Sequence, residues 1–278
     1  MSEKKKSEVK YLPQSIKIGC TATLRDFEKI HWIAEADYDY IETNLSMLTE
    51  ASEKETAAFA AELERAGIPC LAANFLFPPS HSMRLTGPII NGSLVADYLE
   101  RAFSRAEKVG IKTVSFGAGS ARRVPDGFPP EEALEQLRDL CVQYIAPAAE
   151  KYGITVAVEN INENETNILC RVTEVSDFVD SIGSDRIRAL CSNYHMVLEG
   201  EDYSVIRKIG RNIAHVHVAS PTKRSYPTVN DPHDYSEFFD SLASVGYGGG
   251  ITVEVGVPDD ENTEENIYAS SIFLRTVI

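Results

Sequence analysis

Short apolar runs alternate along the chain with longer stretches in which apolar residues recur every three or four positions. The short runs have the length and apolar character of buried parallel strands. They are Ile16–Cys20, Tyr38–Glu42, Cys70–Phe75, Thr113–Phe116, Thr155–Glu159, Ala189–Ser192, Ala214–Val218 and Ile251–Val255. The longer stretches have the period of amphipathic helices. Clear examples are Glu53–Ala66, Leu94–Val109, Pro130–Lys151 and Tyr235–Val245. Such alternation is typical of βαβ units in a parallel sheet.

Glycine follows three of these helical stretches in the same way. Gly67, Gly110 and Gly153 each stand between the last residue of the helical pattern and an isoleucine. Glycine adopts the left-handed conformation that closes many helices, so we predict that each occupies the C′ position and that the isoleucine opens the next strand. Three copies of one pattern favour a single fold made of repeated units over two unrelated domains.

We predict that these units close into one α/β domain, a (β/α)8 TIM barrel. The chain has 278 residues, and a length of about 250 is typical of this barrel. A doubly wound open sheet is the alternative, but the segment Gly19–Thr23 after the first strand lacks the G-x-G-x-x-G pattern of dinucleotide-binding turns. We assign residues 1–12 to a polar N-terminal segment and residues 13–278 to the barrel.

The acidic composition narrows the range of expected partners. The chain carries 27 Lys and Arg against 42 Asp and Glu, a formal net charge of −15. Because nucleic-acid binding relies on cations that neutralise phosphates, we expect no nucleic-acid partner. The five cysteines form no C-x-x-C pair, and no apolar run reaches the length of about 18 residues that a membrane helix needs. We therefore predict a cytoplasmic protein with no membrane partner.

Polar residues at the ends of the predicted strands are the candidates for chemistry, because the active site of such a barrel lies at the carboxyl ends of its strands. Glu159 ends the fifth strand and Glu254 lies in the eighth. A carboxylate in this position is costly to bury unless it is paired, hydrogen-bonded or bound to a metal. The strand pattern leaves two possible partners for these carboxylates, a divalent cation or the side chain of a Lys or Arg.

Two histidines occur in the seventh strand. His215 and His217 are two residues apart, so they share one face of the strand, and His217 lies nearer the carboxyl end. We expect His217 near the active site and His215 one layer deeper in the core. A single buried histidine is more often a core residue than a metal ligand, and both interpretations remain open from the strand pattern alone.

The order of these residues resembles the xylose isomerase-like superfamily, in particular ketose 3-epimerases and sugar phosphate isomerases or epimerases. Those families hold a divalent metal through Glu, Asp, His and Glu from the fifth to the eighth strands. The resemblance assigns Glu159, His217 and Glu254 to metal-ligand positions, while Ser192 stands where the aspartate belongs. Because a neutral hydroxyl is a poor ligand for a hard cation, Ser192 marks a weak or vacant position. The resemblance thus implies a weakly bound Mn, Mg, Co or Zn ion.

The same resemblance implies residues that bind the substrate. The stretch Glu159–Asn167 places Glu165 at a substrate-contacting carboxylate, and the stretch Ser192–Met196 places His195 at a substrate-binding histidine. Lys223 occupies the position of a substrate-binding arginine, and Arg224 beside it is the alternative.

The reaction that the resemblance implies is the isomerisation or epimerisation of a sugar or sugar phosphate. Glu159 and Glu254 would act as the catalytic acid and base, moving a proton through an enediolate that the metal stabilises. The expected partner is a small molecule, and a homo-oligomer is compatible with the sequence.

Two other functions remain as alternatives. Ser192, Ser220 and Lys223 would suit a metal-poor barrel that binds a sugar without turning it over. An endonuclease IV-like phosphodiesterase would need a histidine-rich zinc cluster and contact with DNA. The chain has only six histidines and a strongly negative charge, and both observations disfavour this alternative.

Arg122 and Arg123, in the loop after the fourth strand, are expected either to hold a phosphate or to form a solvated charge pair.

Overall fold

The computed structural model describes residues 12–13, 15–78 and 83–278 and contains one closed barrel of eight strands. Each strand runs parallel to the two beside it. The strands are β1 Lys17–Thr21, β2 Tyr40–Asn44, β3 Cys70–Asn74, β4 Thr113–Phe116, β5 Thr155–Glu159, β6 Ile187–Ser192, β7 Ile213–Val218 and β8 Gly250–Val253. This arrangement confirms the predicted single-domain TIM barrel. The predicted polar N-terminal segment, apart from Leu12, falls outside the described residues.

Helices surround the barrel. They are α1 Phe27–Glu35, α2 Leu45–Glu50, α3 Glu53–Ala66, α4 Gly92–Val109, α5 Gly119–Arg122, α6 Pro130–Leu140, α7 Ala146–Tyr152, α8 Val172–Ile182, α9 Asn193–Leu198, α10 Ile206–Ile209, α11 Ser236–Ser244 and α12 Thr263–Val277. Short 3₁₀ turns at Tyr203–Val205 and Gly210–Asn212 flank α10. Within the described ranges, no helix combines the length and the apolar character needed to cross a membrane.

The strands are buried on both faces, as parallel strands of such a barrel must be. In β5, Val156, Ala157 and Val158 are all fully buried. Neighbouring side chains along a strand point alternately into the barrel and towards the helices. Apolar side chains therefore pack both in the barrel interior and between the strands and the helices. A polar side chain that points inward at a strand end must form its hydrogen bonds with other groups inside the barrel.

The three predicted glycine caps are confirmed. Gly67, Gly110 and Gly153 have φ values of 70°, 91° and 62°. The N–H of the isoleucine after each glycine donates to a carbonyl five residues back, at 3.2, 3.0 and 2.9 Å, which is the Schellman arrangement. Each isoleucine precedes its strand by one or two residues instead of opening it, because its N–H is committed to closing the helix.

The predicted helix Pro130–Lys151 is interrupted. A π-helical segment, Cys141–Ile145, separates α6 from α7, and the N–H of Ala146 donates to the carbonyl of Cys141, five residues back. Pro147 follows at once; it has no N–H to donate, and its ring would clash with the carbonyl four residues earlier in a regular helix. One wider turn accommodates the proline while the chain continues in helical form.

Candidate active site

A cavity of about 310 Å³ opens at the carboxyl ends of the strands. Glu159 is the last residue of β5, and Glu254 follows the last residue of β8. Five of the residues that the sequence predicts as functional line this cavity: Glu159, Glu165, His195, Arg224 and Glu254. The side chain of His217 lies beside two of these carboxylates and is 1% exposed. The strand ends thus bring together side chains that are far apart in the sequence.

The centre of the site is a histidine nitrogen between two carboxylates. The Nδ1 atom of His217 lies 3.1 Å from Oε1 of Glu159 and 3.4 Å from Oε2 of Glu254. All three side chains are buried, and one ligand atom from each lies within 4.8 Å of the others. Two carboxylate oxygens and an imidazole nitrogen suit a divalent cation such as Mn, Co or Zn. The residues present therefore fit the metal that the sequence predicts.

Ser192 lies beside this group. It is the last residue of β6, it is paired in register with His217, and it is 1% exposed. Its N–H donates to Oδ1 of Asn160 at 2.9 Å. The neighbouring strand therefore offers a neutral hydroxyl instead of a third carboxylate. Whether this position is a weak ligand remains a prediction.

Glu42 is a residue of the site that the sequence analysis missed. It lies in β2 and is 1% exposed, with Oε1 2.9 Å from Nε2 of His217 and Oε2 2.8 Å from Nε2 of His215. His215 is indeed one layer deeper than His217, as predicted. The predicted second strand ended in Glu42, so the argument that singled out Glu159, a carboxylate closing a buried strand, would have found it. Burial alone would raise the pKa of Glu42, but the two imidazoles outweigh burial and lower it to about 2.

Asn74, the last residue of β3, was missed as well. Its Nδ2 donates to Oε1 of Glu254 at 3.0 Å, and it lines the cavity. Its Oδ1 is buried without a hydrogen-bond partner among the described residues. An amide is a common strand-end residue, and nothing in the strand pattern distinguishes this one. Asn74 both fixes one oxygen of Glu254 and offers an unused acceptor.

The two carboxylates differ in their affinity for a proton. Burial raises the pKa of Glu159, and His217 offsets this effect only in part. Burial acts in the same direction on Glu254, but His217 and Arg224 outweigh it and hold the pKa of Glu254 well below its usual range. Because the two groups titrate as a pair, the first proton goes to Glu159 while Glu254 stays ionised.

His195 presents a neutral hydrogen-bond donor to the cavity. Its Nδ1 accepts from the backbone N–H of Asn162 at 3.2 Å, so the proton of the neutral ring lies on Nε2. Burial and, to a lesser degree, Arg224 lower the pKa of His195 to about 3. The Nε2 atom is buried, lies 3.9 Å from Oε1 of Glu159, and has no hydrogen-bond partner in the part of the chain that is described. A ligand oxygen would satisfy it.

The turn after β7 places the two basic side chains that the sequence predicts as substrate-binding, Lys223 and Arg224, in different surroundings. Lys223 and Arg224 both have left-handed backbones, with φ values of 61° and 52°. Lys223 is exposed and lies outside the cavity lining, whereas the Nη2 atom of Arg224 lies 2.5 Å from Oε2 of Glu254. The Nη1 atom of Arg224 lies 3.8 Å from Oε1 of Glu165, which is partly exposed at the rim. Arg224, which the sequence analysis gave as the alternative to Lys223, is thus the residue that reaches the cavity.

The sequence of this barrel places it in a known family. The sequence model of a family described as the xylose isomerase-like TIM barrel matches residues 30–277. The chain belongs to this family. The resemblance stated from the strand-end residues is thereby confirmed.

Relatives of this xylose isomerase-like barrel include sugar epimerases. The chain is 24% identical to a D-psicose 3-epimerase of Agrobacterium fabrum over 229 residues, which cover 81% of this chain and 77% of that protein. It is 30% identical to an L-ribulose 3-epimerase of Mesorhizobium japonicum over 134 residues, which cover 48% of this chain and 44% of that protein. These relatives agree with the predicted class of sugar isomerase or epimerase.

A solved structure supports the same fold. A D-allulose 3-epimerase from a Methylomonas species superposes with a TM-score of 0.78 at 18% identity, covering 96% of this chain and 100% of that one. At this level of identity the likeness concerns the fold alone. The assignment of individual site residues in this xylose isomerase-like barrel therefore rests on its own geometry.

Arg122 and Arg123 were expected to hold a phosphate or to form a solvated charge pair. This prediction is wrong for Arg122. Arg122 is fully buried, and its guanidinium donates to the main-chain carbonyls of Phe116, Glu159 and Leu169 at 3.3, 2.8 and 3.2 Å. Burial lowers its pKa to about 10. These carbonyls take the place of a phosphate or water for the two terminal nitrogens, because α5 carries the side chain into the interior, while Nε has no hydrogen-bond partner among the described residues. Arg123 is exposed.

Proposed function

We propose that the protein is a ketose 3-epimerase. The observation that carries this proposal is the pair of buried carboxylates, Glu159 and Glu254, which flank Nδ1 of His217 and have pKa values displaced in opposite directions. Epimerisation next to a carbonyl needs one group that removes a proton and one that returns a proton to the other face. The similarity to a D-psicose 3-epimerase and to an L-ribulose 3-epimerase supports this choice of reaction.

A divalent cation is the cofactor that this donor set would take. Glu159, Glu254 and Nδ1 of His217 are the residues that would hold it, with Ser192 beside them. When bound, such a cation supplies Lewis-acid polarisation of a substrate carbonyl.

The protein's own residues supply the proton transfers and the orientation of the substrate. Glu254, which is held ionised, accepts the proton from the carbon next to the carbonyl, and Glu159 returns a proton on the opposite face. The Nε2–H of His195 and the guanidinium of Arg224 donate to substrate oxygens, while Glu165 accepts from a hydroxyl group. Each contact that involves a charge contributes about 1.5–3 kcal/mol.

We further propose that the substrate carries no phosphate. Three carboxylates line the cavity, those of Glu159, Glu165 and Glu254, and within the described residues Arg224 is the one Lys or Arg side chain that lines it. Of the two arginines considered for a phosphate, Arg122 donates to main-chain carbonyls and Arg123 lies outside the cavity lining. Even with a divalent cation held by these carboxylates, the charges of the lining (−3 from the carboxylates, +1 from Arg224 and +2 from the cation) only cancel. A phosphate dianion would therefore find no surplus of positive charge, whereas neutral hydroxyl groups find both donors and acceptors.

The test is proton exchange on a panel of ketoses. The protein is loaded in turn with Mn²⁺, Mg²⁺, Co²⁺ or Zn²⁺ and incubated in D₂O with D-psicose, L-ribulose, D-tagatose and phosphorylated ketoses. We expect deuterium at carbon 3 and the 3-epimer as product for one or more free ketoses, with little turnover of the phosphates. The matched control is Glu254→Gln. Absence of both exchange and product for every ketose and every cation would overturn the proposal.

A further inference from the structure

A chain of buried polar side chains runs through the barrel beneath the cavity. It begins at the hydroxyl of Tyr40, which lies 2.8 Å from Oγ1 of Thr252, and continues to Nε2 of His215 at 3.1 Å. From His215 it passes through the carboxylate of Glu42 to Nε2 of His217. None of these five side chains belongs to a residue more than 2% exposed. Glu42 is the acidic member of this chain.

Glu42 connects strands that are not neighbours. The strand β2 pairs with β1 and β3, whereas β7, which carries both histidines, pairs with β6 and β8. The carboxylate therefore crosses the barrel interior to reach His215 and His217. A carboxylate that is this deeply buried is tolerated only with partners for both oxygens, and the two Nε2 atoms provide them.

The contact with Glu42 decides which nitrogen of His217 faces the cavity. An ionised carboxylate can only accept hydrogen bonds, so the Nε2 atom at 2.9 Å must carry a hydrogen and donate it. The remaining nitrogen, Nδ1, is the one that lies between Glu159 and Glu254. Outer carboxylates that accept from a histidine in this way fix its tautomer and its ring orientation.

We propose that Glu42 is a positioning residue that keeps the hydrogen of His217 on Nε2 and so presents Nδ1 as the cation-binding nitrogen. His215 holds Glu42 in place from the inner side, and Thr252 in turn contacts His215. This inference rests on the proposed function, because it assumes that His217 shares a divalent cation with Glu159 and Glu254. It adds a third carboxylate to the group formed by Glu159, His217 and Glu254, from a strand that supplies none of these three residues.

The chain offers a control in a second glutamate–histidine pair, in which the glutamate is buried and the histidine is partly exposed. Glu62 in α3 is 1% exposed, its Oε1 lies 2.6 Å from Nε2 of His31 in α1, and its Oε2 accepts from Arg65. These residues belong to the outer helices and not to the cavity lining. Glu62→Gln removes a buried carboxylate that contacts a histidine Nε2 away from the cavity, so it measures the effect on stability of losing such a charge.

The experiment compares Mn²⁺ binding by calorimetry for the wild type, Glu42→Gln and Glu62→Gln. We expect Glu42→Gln to weaken Mn²⁺ binding roughly 10- to 100-fold, as loss of an outer partner does elsewhere. Glu62→Gln should lower the melting temperature but leave Mn²⁺ affinity unchanged. Equal affinities for Glu42→Gln and the wild type would overturn this inference alone. A wild-type protein that binds no divalent cation would contradict the proposed cofactor and this inference together.

A measurement on the unmodified protein covers the case in which Glu42→Gln does not fold. Nitrogen-15 NMR of histidine-labelled, Zn²⁺-loaded protein distinguishes the two ring nitrogens of His217. We expect Nε2 to carry a hydrogen and Nδ1 to show the shift of a metal-bound nitrogen. The reverse assignment, with Zn²⁺ on Nε2, would rule out the proposed role of Glu42.

Discussion

The Nη2 atom of Arg224 lies 2.5 Å from Oε2 of Glu254, the same oxygen that lies 3.4 Å from Nδ1 of His217. One carboxylate oxygen thus faces both a fixed cation from the turn after β7 and the position proposed for the metal. His217 and, after it, Arg224 outweigh burial and hold the pKa of Glu254 well below its usual range, and the contact places the guanidinium at the edge of the cavity.

Arg224→Met should therefore raise KM for the ketose while leaving Mn²⁺ affinity at least as tight as in the wild type. Loss of a charged hydrogen bond to the substrate is worth about 1.5–3 kcal/mol, or roughly 10- to 150-fold in KM. The control is Lys223→Met, next in sequence but exposed, which should change neither quantity. A larger effect of Lys223→Met would restore the assignment first made from the sequence.

Glu254→Gln should remove activity and weaken metal binding, whereas His215→Asn should mainly lower stability. Loss of a positioned acid or base costs about 100- to 10,000-fold in rate. His215 lies one layer deeper and contacts Glu42 and Thr252 instead of the cavity. Steady-state kinetics, calorimetry and thermal unfolding of the two variants would separate these effects. An active, metal-loaded Glu254→Gln protein would refute the proposed roles.

Ser192→Asp should tighten the binding of a divalent cation. The serine is paired in register with His217 and is buried, so an aspartate there would add a carboxylate beside the proposed ligands. We expect a gain of about 1–3 kcal/mol, the scale of one charge-assisted contact. Calorimetric titration of both proteins with Mn²⁺ gives the difference, and unchanged or weaker binding by the variant would mean that position 192 does not face the cation.

Gly117→Ala should reduce kcat. A Cβ at this position would lie 2.7 Å from Oε2 of Glu159 and 2.9 Å from Cδ1 of Ile161, so the ends of both side chains have to move. Displacement of a reacting group by about 1 Å can cost about 100-fold in rate. Gly248→Ala is the control, because its Cβ would meet no atom of the described residues within 4 Å. Similar kcat values for the two variants would show that Glu159 tolerates the shift.

The sequence predicts the fold and the centre of the site because both follow from local patterns. Strand length, helical period and glycine caps define the repeated units, and Glu159 and Glu254 stand out as carboxylates at the ends of apolar runs. Glu42 satisfies the same rule and was overlooked. Its importance comes from His215 and His217 on the far side of the barrel, a relationship that no spacing along the chain expresses.

Other parts of the site depend on backbone conformations that a residue pattern does not specify. Lys223 and Arg224 differ in role because two successive left-handed residues turn one side chain inward and leave the other exposed. Arg122 looks like a surface residue in the sequence, yet a left-handed Ala118, with φ 48°, starts the short helix that carries it into the interior. Both outcomes follow from the path of the loops.

The hydrogen bonds of Arg122 have a consequence for protein engineering. Among the described residues its acceptors are the main-chain carbonyls of positions 116, 159 and 169, and no side chain of these residues accepts from it. Replacing Glu159 by another residue would leave that acceptor in place, since every amino acid carries the same carbonyl. The hydrogen bonds that join the ends of β4 and β5 therefore do not depend on which side chain stands at position 159, although the charge of Glu159 also favours the protonated guanidinium. A library that varies the strand-end side chains can retain Arg122 as a constant framework position.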